Sequence, residues 1–126
     1  MTATEVAACS ECGVDESSMT VQDAVVTLRS LPRRWRAVLA TLDEDDIDVL
    51  SRRPPDGSPS ALEHEAAARA AIGGDPERLA TEAERRDADE WKDPALLSTL
   101  RGAAHAGVHH LKLAERSLRA VRGAGR

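Results

Sequence analysis

The run Pro94–Arg122, PALLSTLRGAAHAGVHHLKLAERSLRAVR, decides how this chain folds. Leu97, Leu100, Ala104, Gly107, Leu111, Ala114, Leu118 and Val121 recur at alternating steps of three and four. That is the seam one helix of an antiparallel bundle presents to its neighbours. Asp93 suits the N-cap and Pro94 the first helical position, where the missing N–H costs nothing. Arg116, Arg119 and Arg122 fall near the C-terminus, where cations favour the helix dipole. Gly123 and Gly125 suit the stop.

The same run carries His105, His109 and His110. His105 and His109 are four apart, so their rings project from one side of a helix, a turn apart. Two imidazoles so placed can share a metal ion. At about 100° per residue the pair lies well around from the leucine seam. The stripe continues at Leu113 and is expected to face a second neighbour, a dimer partner or water. The plainer reading of HxxxH is histidines that are solvated or hydrogen-bonded.

Working outward, 126 residues suffice for one domain with a single core. Aromatic residues make up 2 %, Trp35 and Trp91, so the core must use Leu, Val and Ala, which suits closely approaching helices. Good helix formers dominate and β-branched residues are sparse. A net charge of −5 argues against a dedicated nucleic-acid binder, and Arg29, Arg33, Arg34 and Arg36 read as solvated charges beside a buried face. No apolar run reaches membrane-spanning length, and Met1–Glu5 lacks the basic and apolar regions of a signal peptide. The cytoplasm is the expected location. There Cys9 and Cys12 are expected to be reduced.

Residues 1–19 read as an N-terminal CxxC tail, loose over Met1–Ala8, and residues 20–126 as the bundle. Cys9-Ser-Glu-Cys12-Gly13 resembles half a zinc knuckle: two thiolates at this spacing can share a metal, and the glycine permits the tight turn. With no second CxxC, the other ligands would be histidines, carboxylates or water. A redox CxxC, without a surrounding βαβ pattern, and a metal-free segment are the rival readings.

Thr20 and Asp23 form a capping box for a first helix expected to reach about Leu42. Its apolar positions are Val21, Val25, Leu28, Leu31, Trp35, Val38, Leu39 and Leu42. Pro32 interrupts them, so the helix kinks or restarts there. Trp35 falls on the apolar stripe and reads as core. The acidic run Asp43–Asp48 reads as a solvated helix end or loop, since it lacks the glycine and terminal glutamate of a calcium loop. A second capping box, Ser60 and Glu63, opens a helix to Ile72, stopped by Gly73-Gly74 and carrying His64. Asp75-Pro76 opens a third, charged helix with Leu79, Ala83 and Arg86 on its inner side, closed by Trp91.

Together these pieces resemble the DinB-like four-helix family, in particular its small actinobacterial members. The matching residues are Cys9, Cys12 and Gly13; Leu31–Arg36, Leu-Pro-Arg-Arg-Trp-Arg; Ser60-Ala61-Leu62-Glu63; and His105-xxx-His109-His110-Leu111. The resemblance implies an all-α four-helix bundle, with a divalent metal on one histidine of the second helix and two of the last. It implies thiol-dependent transferase or isomerase chemistry with a low-molecular-weight thiol. The chain departs from the family in three places. Ala67 stands where the second-helix histidine usually lies, with His64 almost a turn earlier. Pro59 replaces a tryptophan, and the third helix is short.

Two functional expectations follow. In the first, His105 and His109 or His110 hold zinc, nickel or iron, with His64, Cys9 or Cys12 completing the shell, and an open position activates a thiol or water in a transferase- or hydrolase-like reaction. In the second, the bundle is non-catalytic with a degenerate metal site and acts as a homodimeric scaffold or interaction protein through an apolar stripe including Leu113 or Trp35. No Ser-His-Asp order, phosphate loop or dinucleotide fingerprint points to another chemistry.

Overall fold

The chain is described from a computed structural model covering residues 9–124. The tail Met1–Ala8 and the stop at Gly125 lie outside the described residues. The described residues form four α-helices: α1, Val21–Leu39; α2, Ala61–Ile72; α3, Pro76–Arg85; and α4, Pro94–Ala124. Short 3-10 helices lie at Glu16–Ser18, Glu44–Leu50 and Ala88–Lys92. Among the described residues there is no strand, and no helix is long and apolar enough to cross a membrane. The chain is all-α.

Every helix start follows from local chemistry. Thr20 and Asp23 exchange hydrogen bonds of 2.9 and 3.0 Å, and Ser60 and Glu63 exchange bonds of 3.0 and 3.2 Å. Asp75 accepts from the Glu77 amide and Asp93 from the Ala95 amide, each one residue before a proline at the first helical position. Gly73, at φ +87°, closes α2 in the left-handed conformation glycine adopts without strain.

α1 runs unbroken through Pro32, so it neither restarts nor ends there, and it stops at Leu39 rather than Leu42. Its last residues tighten into three-residue turns, with Thr41 N–H donating to Val38 O at 3.2 Å and Leu42 N–H to Leu39 O at 3.1 Å. The acidic stretch is likewise ordered: it winds into the Glu44–Leu50 turn, burying Val49. In α3 Ala80 and Ala83 are buried and Leu79 packs half-buried against the core, whereas Arg86 is exposed and its guanidinium lies 5.9 Å over the Trp91 ring. Trp91 belongs to the 3-10 turn after α3, not to the helix itself.

α4 is the spine. It packs most extensively on α2 and next on α1, while α3 packs on α1. Ser117 donates to Pro59 O, His64 meets His110, and Ile72 lies over Gly107, so α2 runs antiparallel to α4. α1 runs parallel to it: Met19 O meets Arg101, Leu31 meets Gly107 and Thr41 O meets Arg122. The connection from Ala40 to Ser60 stays at one end of the bundle, where Thr41 O meets Arg122 and Pro59 O meets Ser117, so α2 runs back against α1 and α4 runs with α1.

The seam read from the sequence is the core. Leu100, Ala104, Gly107, Leu111, Ala114, Leu118 and Val121 are all buried, with Leu97 half-buried. They meet Val25, Leu28, Leu31 and Val38 of α1 and Ala61 of α2, with Ile72 packed against them. Each fully buried leucine contributes about 1.5–3 kcal/mol over its exposed state. At Gly107 side chains from α1 and α2 crowd α4: a Cβ there would collide with Leu31 Cδ1 and sit 3.3 Å from Ile72 Cδ1. α1 and α2 both flank α4 but barely touch each other. Between them lies an apolar groove of about 660 Å³ with Leu31, Trp35 and Ile72 among its walls.

Candidate metal centre

The second stripe of α4, a third of a turn around from the seam, is where residues 9–19 lie. Arg101 Nε donates to Met19 O at 2.7 Å. His105 Nδ1 meets Glu16 Oε2 at 2.6 Å. His109 Nδ1 lies 3.7 Å from Cys9 Sγ. Lys112 Nζ donates to Cys12 O at 3.0 Å, and Arg116 donates to Glu11 O. Positions 101, 105, 109, 112 and 116 share one helix face, which explains why one segment can meet all five. The stripe's three open alternatives resolve here: it faces the chain's own N-terminal segment. Cys12 and Met19 are buried by it, at 6 % and 7 % exposure, and join the core.

The Cys9–Val14 turn is a closed knuckle. Cys9 N–H donates to Val14 O and Gly13 N–H to Cys9 O, both at 2.8 Å. Gly13, at φ +80°, takes the left-handed conformation that turns the chain back. This aims both sulfurs at α4. Cys9, Cys12, His105 and His109 each offer one donor atom, and these four atoms all lie within 4.8 Å of one another. The four residues come together and can hold a metal ion. Both cysteines are free thiols.

The electrostatics suit a cation. The Glu11 backbone N–H, then the His105 ring and the Cys12 N–H, lower the Cys9 thiol to about 6, so it is thiolate at neutral pH. Burial pushes the Cys12 thiol up. For His105 burial favours the neutral ring, but Glu16 and Cys9 outweigh it and the net shift is upward. His105 Nε2 is buried and has no hydrogen-bond partner. A buried imidazole nitrogen left without a partner is costly. Its position among two sulfurs and a second histidine gives it a natural partner in a metal ion, with Glu16 bracing the opposite nitrogen as carboxylates do behind metal-bound histidines.

The remaining candidates form a separate pair. His64 Nδ1 lies 3.1 Å from His110 Nδ1. His64 is buried, at 8 % exposure, and burial is the main reason both rings are held below the ordinary imidazole value. His110 is one residue from His109 but points about 100° further round the helix, toward α2 instead of the knuckle. Ala67, at the position the resemblance assigns to a histidine, is exposed. The six candidate ligands therefore divide into Cys9, Cys12, His105 and His109 on one side of α4 and His64 with His110 on another.

Glu16 was not singled out by the sequence reading. An isolated glutamate 89 residues from its histidine carries no periodic or spacing signal. Arg29, read as a solvated charge, pairs with Glu84 and donates to Thr81 at 3.3 Å, joining α1 to α3. The chain matches no protein-family model, no curated protein and no solved structure.

Proposed function

We propose that the protein is a zinc-binding helical bundle in which the ion fastens the CxxC knuckle to the last helix, and that the site is structural, not catalytic. The observation that carries this reading is the buried, partnerless His105 Nε2 beside Cys9, Cys12 and His109. Two thiolates and two imidazoles form a donor set that zinc prefers, and four protein ligands complete its tetrahedral shell. A sulfur about 2.3 Å and a nitrogen about 2.0 Å from one tetrahedral ion lie about 3.5 Å apart. The separation between Cys9 Sγ and His109 Nδ1 is 3.7 Å. The ion supplies a cross-link whose two positive charges are balanced by the two thiolates.

A shell filled by protein leaves no position for substrate, which argues against thiol-dependent transferase or hydrolase chemistry on a DinB-like frame; the bundle is non-catalytic in this reading, but with a complete metal site in place of a degenerate one. Under this reading His64 and His110 serve the α2–α4 contact rather than the ion. The test is elemental analysis of purified protein beside four single variants, Cys9→Ser, Cys12→Ser, His105→Ala and His109→Ala. One zinc per wild-type chain, lost in each variant, is expected. A metal-free wild type, or full retention in all four, overturns the proposal. Rapid turnover of a low-molecular-weight thiol by the zinc-loaded protein would restore the enzyme reading.

A further inference from the structure

Zinc–thiolate sites differ in how easily their sulfurs meet an oxidant, and this one is asymmetric. Cys12 is buried beneath the knuckle, while Cys9 is half-exposed at its rim. Their donor atoms lie within 4.8 Å of each other, on a turn that glycine already folds back on itself. A two-residue spacer can close to the roughly 2.05 Å of a disulfide without moving α4. Residues 9–19 are held to α4 by one carboxylate–imidazole contact and three cation-to-carbonyl hydrogen bonds apart from the metal donors. Nothing covalent joins them there, so loss of two ligands leaves the segment on these polar contacts and the packing of Cys12 and Met19.

Resting on the zinc reading above, we propose that the centre is a peroxide-responsive switch: a hydroperoxide oxidises Cys9 and Cys12 to a disulfide and expels the ion. The exposed Cys9 sulfur attacks the peroxide O–O bond, taking one oxygen as sulfenic acid, and the other oxygen leaves as an alcohol or water after protonation. The Cys12 thiolate then attacks the Cys9 sulfur; the S–S bond forms and the sulfenic oxygen leaves as water with a proton from solvent. Two sulfurs give up two electrons, the peroxide accepts both, and zinc departs unchanged in oxidation state. His105 and His109 alone hold it too weakly to keep it. A dithiol, itself oxidised to a disulfide, returns Cys9 and Cys12 to thiols and restores the site.

The experiment takes the full chain, loads it with zinc, and removes unbound metal. Zinc uptake is measured first, so failure there counts against the site itself. Hydrogen peroxide is then titrated in, with released zinc read by a chromogenic chelator and the product by intact mass and peptide mapping. The expected result is release of one zinc per chain together with a Cys9–Cys12 disulfide, and rebinding of zinc after dithiothreitol. Zinc held through peroxide treatment until the protein unfolds would overturn the proposal. So would release that leaves sulfinic or sulfonic acid in place of the disulfide. His110→Ala, outside the donor set, is expected to respond as wild type does; loss of the response there would also count against it.

Discussion

Glu16 and His105, 89 residues apart, meet at 2.6 Å through a carboxylate oxygen and Nδ1, which leaves the buried Nε2 as the only ring nitrogen of His105 free to bind an ion. The contact fixes the ring's orientation and makes its nitrogen a better donor. Replacing Glu16 by Ala is expected to weaken zinc binding roughly 10- to 100-fold without abolishing it. Competition against a chelator of known affinity measures the change; an unaltered affinity would mean that Glu16 merely covers the ring.

The division of the histidines makes a sharper prediction. His64→Ala and His110→Ala remove partners in a part-buried hydrogen bond and should each cost about 1–3 kcal/mol in urea denaturation. Both are expected to keep full zinc stoichiometry, whereas His105→Ala and His109→Ala lose it. A zinc-deficient His110→Ala protein would place the ion between the two pairs instead.

Metal removal should be visible as a change in stability. An ion that binds only the folded chain adds about 2.7 kcal/mol when free zinc is 100-fold above its Kd. Thermal denaturation with and without chelator is expected to show this difference, and none in Cys12→Ser. Hydrogen exchange over residues 9–19 should rise on chelation while the centre of α4 stays protected.

Gly107→Ala tests the crowding of α4 by α1 and α2. The added methyl gains up to about 1 kcal/mol of helix propensity but must displace Leu31, and overpacking costs about 1–3 kcal/mol. A net loss of stability is expected. Shortening Leu31 to Val in the same chain should recover part of it, and a stabilised single variant would show that the contact relaxes freely.

Glu63 gives a pH signature. Arg53 and the Ser60 amide hold its carboxyl down to about 2, below the roughly 4.3 of an unfolded chain. A depressed carboxyl binds fewer protons folded than unfolded, so its stabilisation is present above about pH 4.3 and disappears as pH falls through about 2. The stability difference between wild type and Glu63→Gln should therefore shrink across that window. A constant difference would indicate that only the neutral capping contact counts.

Much of the fold was legible because it is local. Thr20, Ser60, Asp75 and Asp93 announce helix starts through their own side chains, and the three-four spacing of Leu100 through Val121 fixes the buried face. The end of α1 at Leu39 was less so, since Leu42 keeps the same periodicity while the backbone has already tightened. The pairing of His105 with His109 followed from spacing. Cys9 or Cys12 was expected beside them as one way to complete a shell, with His64 as the other; nothing local tells a CxxC which face of a distant helix it will cover, so the choice between them came from the fold. The direct contact of His64 with His110 depends on how α2 is rotated about its axis, and a helix this rich in alanine gives little sign of which side turns inward.

The ladder from Arg101 to Arg116 sets what the detached state of residues 9–19 would look like. Once lifted, the segment uncovers guanidinium, ammonium and imidazole groups on α4 that water hydrates readily, while its own buried apolar loss is confined chiefly to Cys12 and Met19. On this face of α4, opening therefore bares groups that hydrate well, and the apolar burial it gives up is the seat of Cys12 and Met19 in the core.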